Sequence, residues 1–263
     1  QMCIRDSLSI GRRTEALDEL RALDSDGIAA VLRSGLRAGQ DGRIVLVDTL
    51  QAWGVSVEAP LIAALRSEQP EIRSLAIEVL GRRQASQAIV WLMDPLWNPK
   101  VDSAEKELTA RACRLILDSD APSKADAVQR LHRAWQARAL SLGDSSLRDL
   151  WQWDDAAGTL VRTERTAHEI AVADRARLAE ALVAIDSESP EFRLMAWRGR
   201  LATAQQQVGG DRAVSVSDLG GNDLPTVAEL EELLTAELQE SRPSGAVAAA
   251  DLLGELADAS TLY

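Results

Sequence analysis

The chain is short of the residues from which most catalytic and metal centres are built. Its 263 residues include two histidines and two cysteines. Cys3 and Cys113 are too few for a disulfide framework or a cysteine-bearing metal site. Phe and Tyr occur once each, against seven tryptophans. No apolar run approaches the roughly 18 residues that a membrane-spanning helix needs, so no membrane insertion is expected. Gly209-Gly210 and Gly220-Gly221 lack the flanking strand and helix of a phosphate-cradling loop. Basic residues are scarce where a nucleic-acid backbone would want them: the formal charge is −12, and residues 218–263 hold ten acidic side chains against one basic. A nucleic-acid partner needs a basic stripe. Neither nucleic acid nor a cofactor is expected.

What the chain does have is a repeat. Residues 70–84, PEIRSLAIEVLGRRQ, read as a short amphipathic helix, entered by Pro70 in its first turn and left through Gly81. Ile72, Leu75, Ala76, Val79 and Leu80 lie at helical spacing, so one face wants burial. Residues 42–53, GRIVLVDTLQAW, match it thirty positions earlier, and residues 12–23, RRTEALDELRAL, match it sixty earlier. In that register Arg13, Arg43 and Arg73 align, as do Asp18, Asp48 and Glu78, then Leu20, Leu50 and Leu80. A fixed period of this size means stacked units, because one unit cannot bury its apolar face alone.

The pattern Pro-x-x-Arg-x-x-Ala-x-x-x-Leu-Gly at Pro70, Arg73, Ala76, Leu80 and Gly81 resembles the second helix of a HEAT repeat. The short period looks like the compact bacterial HEAT class, the one found in bilin lyases. The resemblance implies an all-α fold, an α-solenoid of helix pairs, used mostly as a scaffold or binding surface. It carries little about function.

Along the chain, residues 1–7 (Gln-Met-Cys-Ile-Arg-Asp-Ser) fit no repeat slot and resemble read-through at the end of a metagenomic open reading frame. They are expected to be non-native or disordered, and the chain to be a fragment. Residues 8–120 are expected to form the HEAT-like array, with helices at 57–68, 70–83, 86–96 and 104–117. Cys113 falls in the slot of Ile77 and reads as a small buried residue. Residues 121–208 make a helical middle. Within it, 150–164 alternate about a Gly-containing turn and predict a small β-hairpin; helices are expected over 165–185 and 190–208, and the segment 181–191 resembles the turn of a tetratricopeptide-type helix pair. Residues 209–223, rich in Gly, Asp and Ser, predict a flexible linker. Thr226-Val-Ala-Glu229 is a capping box opening residues 224–263, expected to start a second, truncated HEAT-like array.

The candidate functional residues are the aligned columns Arg13, Arg43, Arg73 and Asp18, Asp48, Glu78. They are expected to form either a line of cations for an acidic peptide or, the favoured reading, a ladder in which each guanidinium binds a carboxylate or loop carbonyl of the neighbouring repeat. HEAT-like di-iron hydroxylases need several His-Glu pairs, and His168-Glu169 is the one such dipeptide here. No catalytic or metal-binding residue is expected. The expected function is a non-enzymatic scaffold for a protein or peptide partner; the alternative is a HEAT-type enzyme, lyase-like or hydroxylase-like.

Overall fold

A computed structural model describes residues 19, 24–34, 40–54, 57–139, 143–208, 213–219, 225–239 and 243–260. The fold is mostly helical, with one small two-stranded sheet. Packing divides the chain into two compact units, Gln1–Ser123 with Asp149–Glu164, and Lys124–Arg148 with Arg165–Tyr263.

Among the described residues of the first unit are helices α1 (Asp24–Ser34) and α2 (Gln40–Gln51), whose Ile28, Leu32, Val47 and Leu50 are buried. Gly54, at φ +88°, turns the chain where a side chain would be strained. Then follow α3 (Glu58–Ala64) and α4 (Pro70–Arg82), with Pro70 in the first turn and Ile72, Leu75, Ala76, Ile77, Val79 and Leu80 inside. Gly81 does not end α4, as its position in the sequence suggests. A Cβ built on it would lie 2.7 Å from both Cα and Cβ of Ala112, so the glycine is there to let two helices approach. The left-handed turn falls instead on Gln84.

The single helix expected over 86–96 is broken. A 3-10 turn at Ser86–Ala88 precedes α5 (Met93–Trp97), because Pro95 has no N–H to continue a helical ladder from before it. The helix α6 (Ser103–Leu117) starts at Asp102, whose side chain accepts from the Glu105 N–H, and ends on left-handed Asp118. It buries Cys113.

The expected hairpin is present and longer at both ends, β1 (Leu147–Asp154) paired with β2 (Thr159–Thr166). Its residues 149–164 belong to the first unit although in the sequence they fall between segments assigned to the second. The two tryptophans are tied within the hairpin: Trp153 Nε1 donates to Asp155, and the Arg162 guanidinium sits 5.7 Å from the Trp151 ring centre.

The second unit contains α7 (Lys124–Arg138), α8 (Ala167–Ile185), α9 (Pro190–Val208), α10 (Val227–Gln239) and α11 (Pro243–Ser260). Thr166 and Glu169 form a capping box on α8, and Thr226 with Glu229 forms the expected one on α10. At Gly199 a Cβ would meet Ala176 Cα at 2.5 Å, so α8 and α9 touch backbone to backbone there. One core gathers Trp197, Leu201 and Ala204 of α9, Leu230 and Leu233 of α10, and Ala248, Ala249 and Leu252 of α11. Two consequences differ from the sequence reading. Over its described part, 213–219, the expected linker delivers Val214 and Leu219 into that core, because its two branched apolar side chains find an open flank of it. The C-terminal helices share their core with α9 instead of beginning a separate array, as their inward leucines need a third helix to cover them.

Among the described residues no helix is long and apolar enough to cross a membrane.

Candidate functional site

Two of the three aligned arginines lie within the described residues, as do Asp48 and Glu78; Arg13 and Asp18 lie outside them. Arg43, in the first turn of α2, donates from Nε to Glu78 Oε2 of α4 at 2.9 Å. Glu78 also accepts from Arg82 Nη2 at 2.8 Å, and Arg82 Nη1 stands 3.8 Å from Asp48. Arg83, beside it, reaches back to the Gln51 carbonyl at 2.7 Å and comes within 3.7 Å of Glu58. Carboxylates of α2 and α4 thus interleave with arginines of the same two helices.

Arg73 makes the tighter arrangement. Its Nε and Nη2 donate to the two oxygens of Glu105 at 2.9 and 2.7 Å, a fork matched to a carboxylate. Its Nη1 donates to the carbonyls of Ser67 and Glu68 at 2.8 and 3.1 Å, closing the loop that enters α4. Glu105 is 3% exposed. The paired hydrogen bonds to that carboxylate, against the opposing cost of burial, raise the Arg73 pKa further above its ordinary value. With four N–H groups engaged, Arg73 holds a loop and a helix.

Glu105 was not legible as the partner of Arg73. The column of acids predicts Asp or Glu thirty residues after Glu78, but position 108 is Leu, and the helix aligns with α4 only if extra residues are allowed around 97–105, which brings Ala112 to the slot of Ala76. The slot aligned with Arg73 becomes Thr109, which is fully buried and donates to the Glu105 carbonyl at 2.7 Å. A signal was present: Asp102-x-x-Glu105 is a helix-start pattern. Asp102 caps the Glu105 N–H at 2.9 Å, which points the first turn of α6 at Arg73.

The hairpin tip extends the same cluster. Asp155 accepts from Ser67 Oγ at 2.6 Å, from the Glu68 N–H at 3.0 Å and from Trp153 Nε1 at 3.0 Å. Burial works to raise its pKa, but those three donors and the nearby charge of Arg73 outweigh it and hold the carboxyl below the usual carboxylate value. On the other side of the turn, Gly158 O accepts from Arg33 Nη1 at 2.9 Å. The loop at 67–69 is therefore gripped twice, by Arg73 through its carbonyls and by Asp155 through its donors.

The two histidines lie elsewhere. His132 is 3.7 Å from Glu191, and His168 Nδ1 accepts from the Gly143 N–H at 3.1 Å while Glu169 caps its own helix. Among the described residues no three His, Cys, Asp or Glu side chains gather as a metal site would require.

The structure thus defines a mostly helical protein in which paired arginines and carboxylates join alternate helices of the first unit, α2 to α4 and α4 to α6. No family model, no curated protein and no solved structure matches the chain.

Proposed function

We propose that the protein is a non-enzymatic scaffold, a HEAT-like α-solenoid that presents helical surface to a protein or peptide partner. The observation that carries this reading is that both described arginines of the aligned column bind a carboxylate on a later helix. Arg43 binds Glu78, 35 residues further on, and Arg73 binds Glu105, 32 residues further on. Bonds of this kind, from α2 to α4 and from α4 to α6, suit a stacked array in which one helix pair is tied to the next. Arginines committed in this way serve as a structural ladder, so partner recognition falls to the outward faces of the helices. The resemblance to HEAT proteins, given by Pro70, Arg73, Ala76, Leu80 and Gly81, points the same way. Partners are proteins or peptides and not nucleic acid, in keeping with the acidic balance.

Two measurements on the purified full chain test this. Affinity capture followed by reconstitution with each captured protein should give at least one saturable, stoichiometric complex. Stoichiometric iron, or absorbance beyond the tryptophan band, would instead favour the hydroxylase-like or lyase-like alternative.

A further inference from the structure

The hairpin of β1 and β2 differs from the helices in how it belongs to the first unit. Residues 149–164 count with that unit, while the chain on both sides of them is assigned to the second. Within the first unit the hairpin is therefore continuous with no other segment, and non-covalent contacts alone hold it. The polar ones gather at its tip. There Asp155 accepts from Ser67 Oγ at 2.6 Å and from the Glu68 N–H at 3.0 Å, and Gly158 O accepts from Arg33 Nη1 at 2.9 Å.

Away from the tip the strands bury little. Leu160 is their one buried side chain; Trp151 and Trp153 are half-buried, Val161 is 36% exposed and Leu147 65%. A two-stranded ribbon is marginal by itself, and a segment with so little apolar burial opens at a lower free energy than helices sharing a core. Two groups also stand to gain from water: Thr163 Oγ1 on β2 and Gln69 Oε1 of the gripped loop are buried with no hydrogen-bond partner among the described residues. The loop, by contrast, does not depend on the hairpin for its shape. Arg73 Nη1 holds the carbonyls of Ser67 and Glu68, and the same guanidinium is forked to Glu105 of α6. The seat for the tip therefore persists when the tip leaves it.

We infer that the hairpin is a strap that docks on the loop at 67–69 and releases from it as one piece, while α4 and α6 stay packed. Release opens the Ser67 hydroxyl and the Glu68 N–H to water, and the strap returns to a seat that Arg73 still holds. The first unit thus has two surfaces at this loop, one closed and one open. The strap is a property of the fold and does not rest on the scaffold reading.

Hydrogen exchange on the full chain tests this, resolved to single amides, relative to their intrinsic rates, and followed at several urea concentrations below the unfolding transition. The slowest amides of β1 and β2, with the Glu68 amide, are expected to exchange about tenfold or more faster than the slowest amides of α4 and α6. Their rates should hardly respond to urea, because release exposes little surface, while those of α4 and α6 should rise with it. Asp155→Asn and Arg33→Ala, each weakening the tip, should speed exchange several-fold along both strands, out to Leu150 and Thr163. Circular dichroism melting checks that the variants fold, and the unmodified chain is informative without them. Equal protection and equal urea dependence in hairpin and helices would overturn the inference, since both would then open as one unit. Strand exchange unmoved by both tip variants would overturn it too, as the tip would not be what holds the strap.

Discussion

Arg73 and Glu105 form a two-point bond between α4 and α6, with Nε to Oε1 at 2.9 Å and Nη2 to Oε2 at 2.7 Å. The pair is asymmetric in exposure, the arginine side chain at 22% and the glutamate at 2%. Removing the arginine therefore leaves a buried anion with no cation, while removing the glutamate leaves a cation that can still bind two carbonyls and turn to water.

Arg73→Ala is accordingly expected to cost about 3 kcal/mol of stability, the usual scale for breaking a buried pair. Arg43→Ala, whose pair with Glu78 is more exposed, should cost about 1 kcal/mol or less. Urea unfolding of the two variants checks the order. Equal losses would mean that burial of Glu105 does not set the energetics.

Asp155 accepts three hydrogen bonds, and its folded pKa is lowered. A carboxyl lowered by folding stabilises above its unfolded pKa, and the contribution fades as pH falls through the folded value. Melting temperature should therefore be insensitive to this residue's titration near neutral pH and drop in the acid range, below about pH 4. Asp155→Asn should flatten that acid drop and lower neutral-pH stability by about 1 kcal/mol. An unchanged acid slope in the variant would show that Asp155 is not a contributor.

Three glycines predict opposite signs. Gly81→Ala and Gly199→Ala drive a methyl into Ala112 and Ala176, and each should cost about 1–3 kcal/mol. Gly254, within α11, has nothing near its would-be Cβ. Gly254→Ala should stabilise by about 0.5–1 kcal/mol through helix propensity. Thermal melts of the three variants suffice.

The core shared by α9, α10 and α11 predicts a dependence between segments. Residues 213–263 made alone should be largely unfolded by circular dichroism, because Leu230, Leu233, Ala249 and Leu252 lose the face given by Trp197, Leu201 and Ala204. Extending the piece back to include α8 and α9 should restore cooperative helix. A folded, monomeric short piece would mean that α10 and α11 close a core by themselves.

The sequence by itself determined the helical character of the chain, the place of its hairpin, the capping box at Thr226 and Glu229, and the residues that line the core of α4. Those features are local: apolar spacing, a proline in a first turn, alternation about a glycine and a polar residue before a helix act within a few positions. It also marked Arg43 and Arg73 as special through their period. Only the tertiary structure decided what they hold. Glu105 became the partner of Arg73 because an insertion displaced the repeat and Asp102 restarted a helix at the right point. Val214 and Leu219 became core because α9 and α10 leave a flank that two apolar residues can fill, although the polar residues around them read as a linker. Asp155 came to rest on the loop at 67–69, some ninety residues away in the chain, and no periodicity reports a contact of that kind. Such partners are chosen by which surfaces remain unsatisfied once the helices pack, and that is a property of the whole unit.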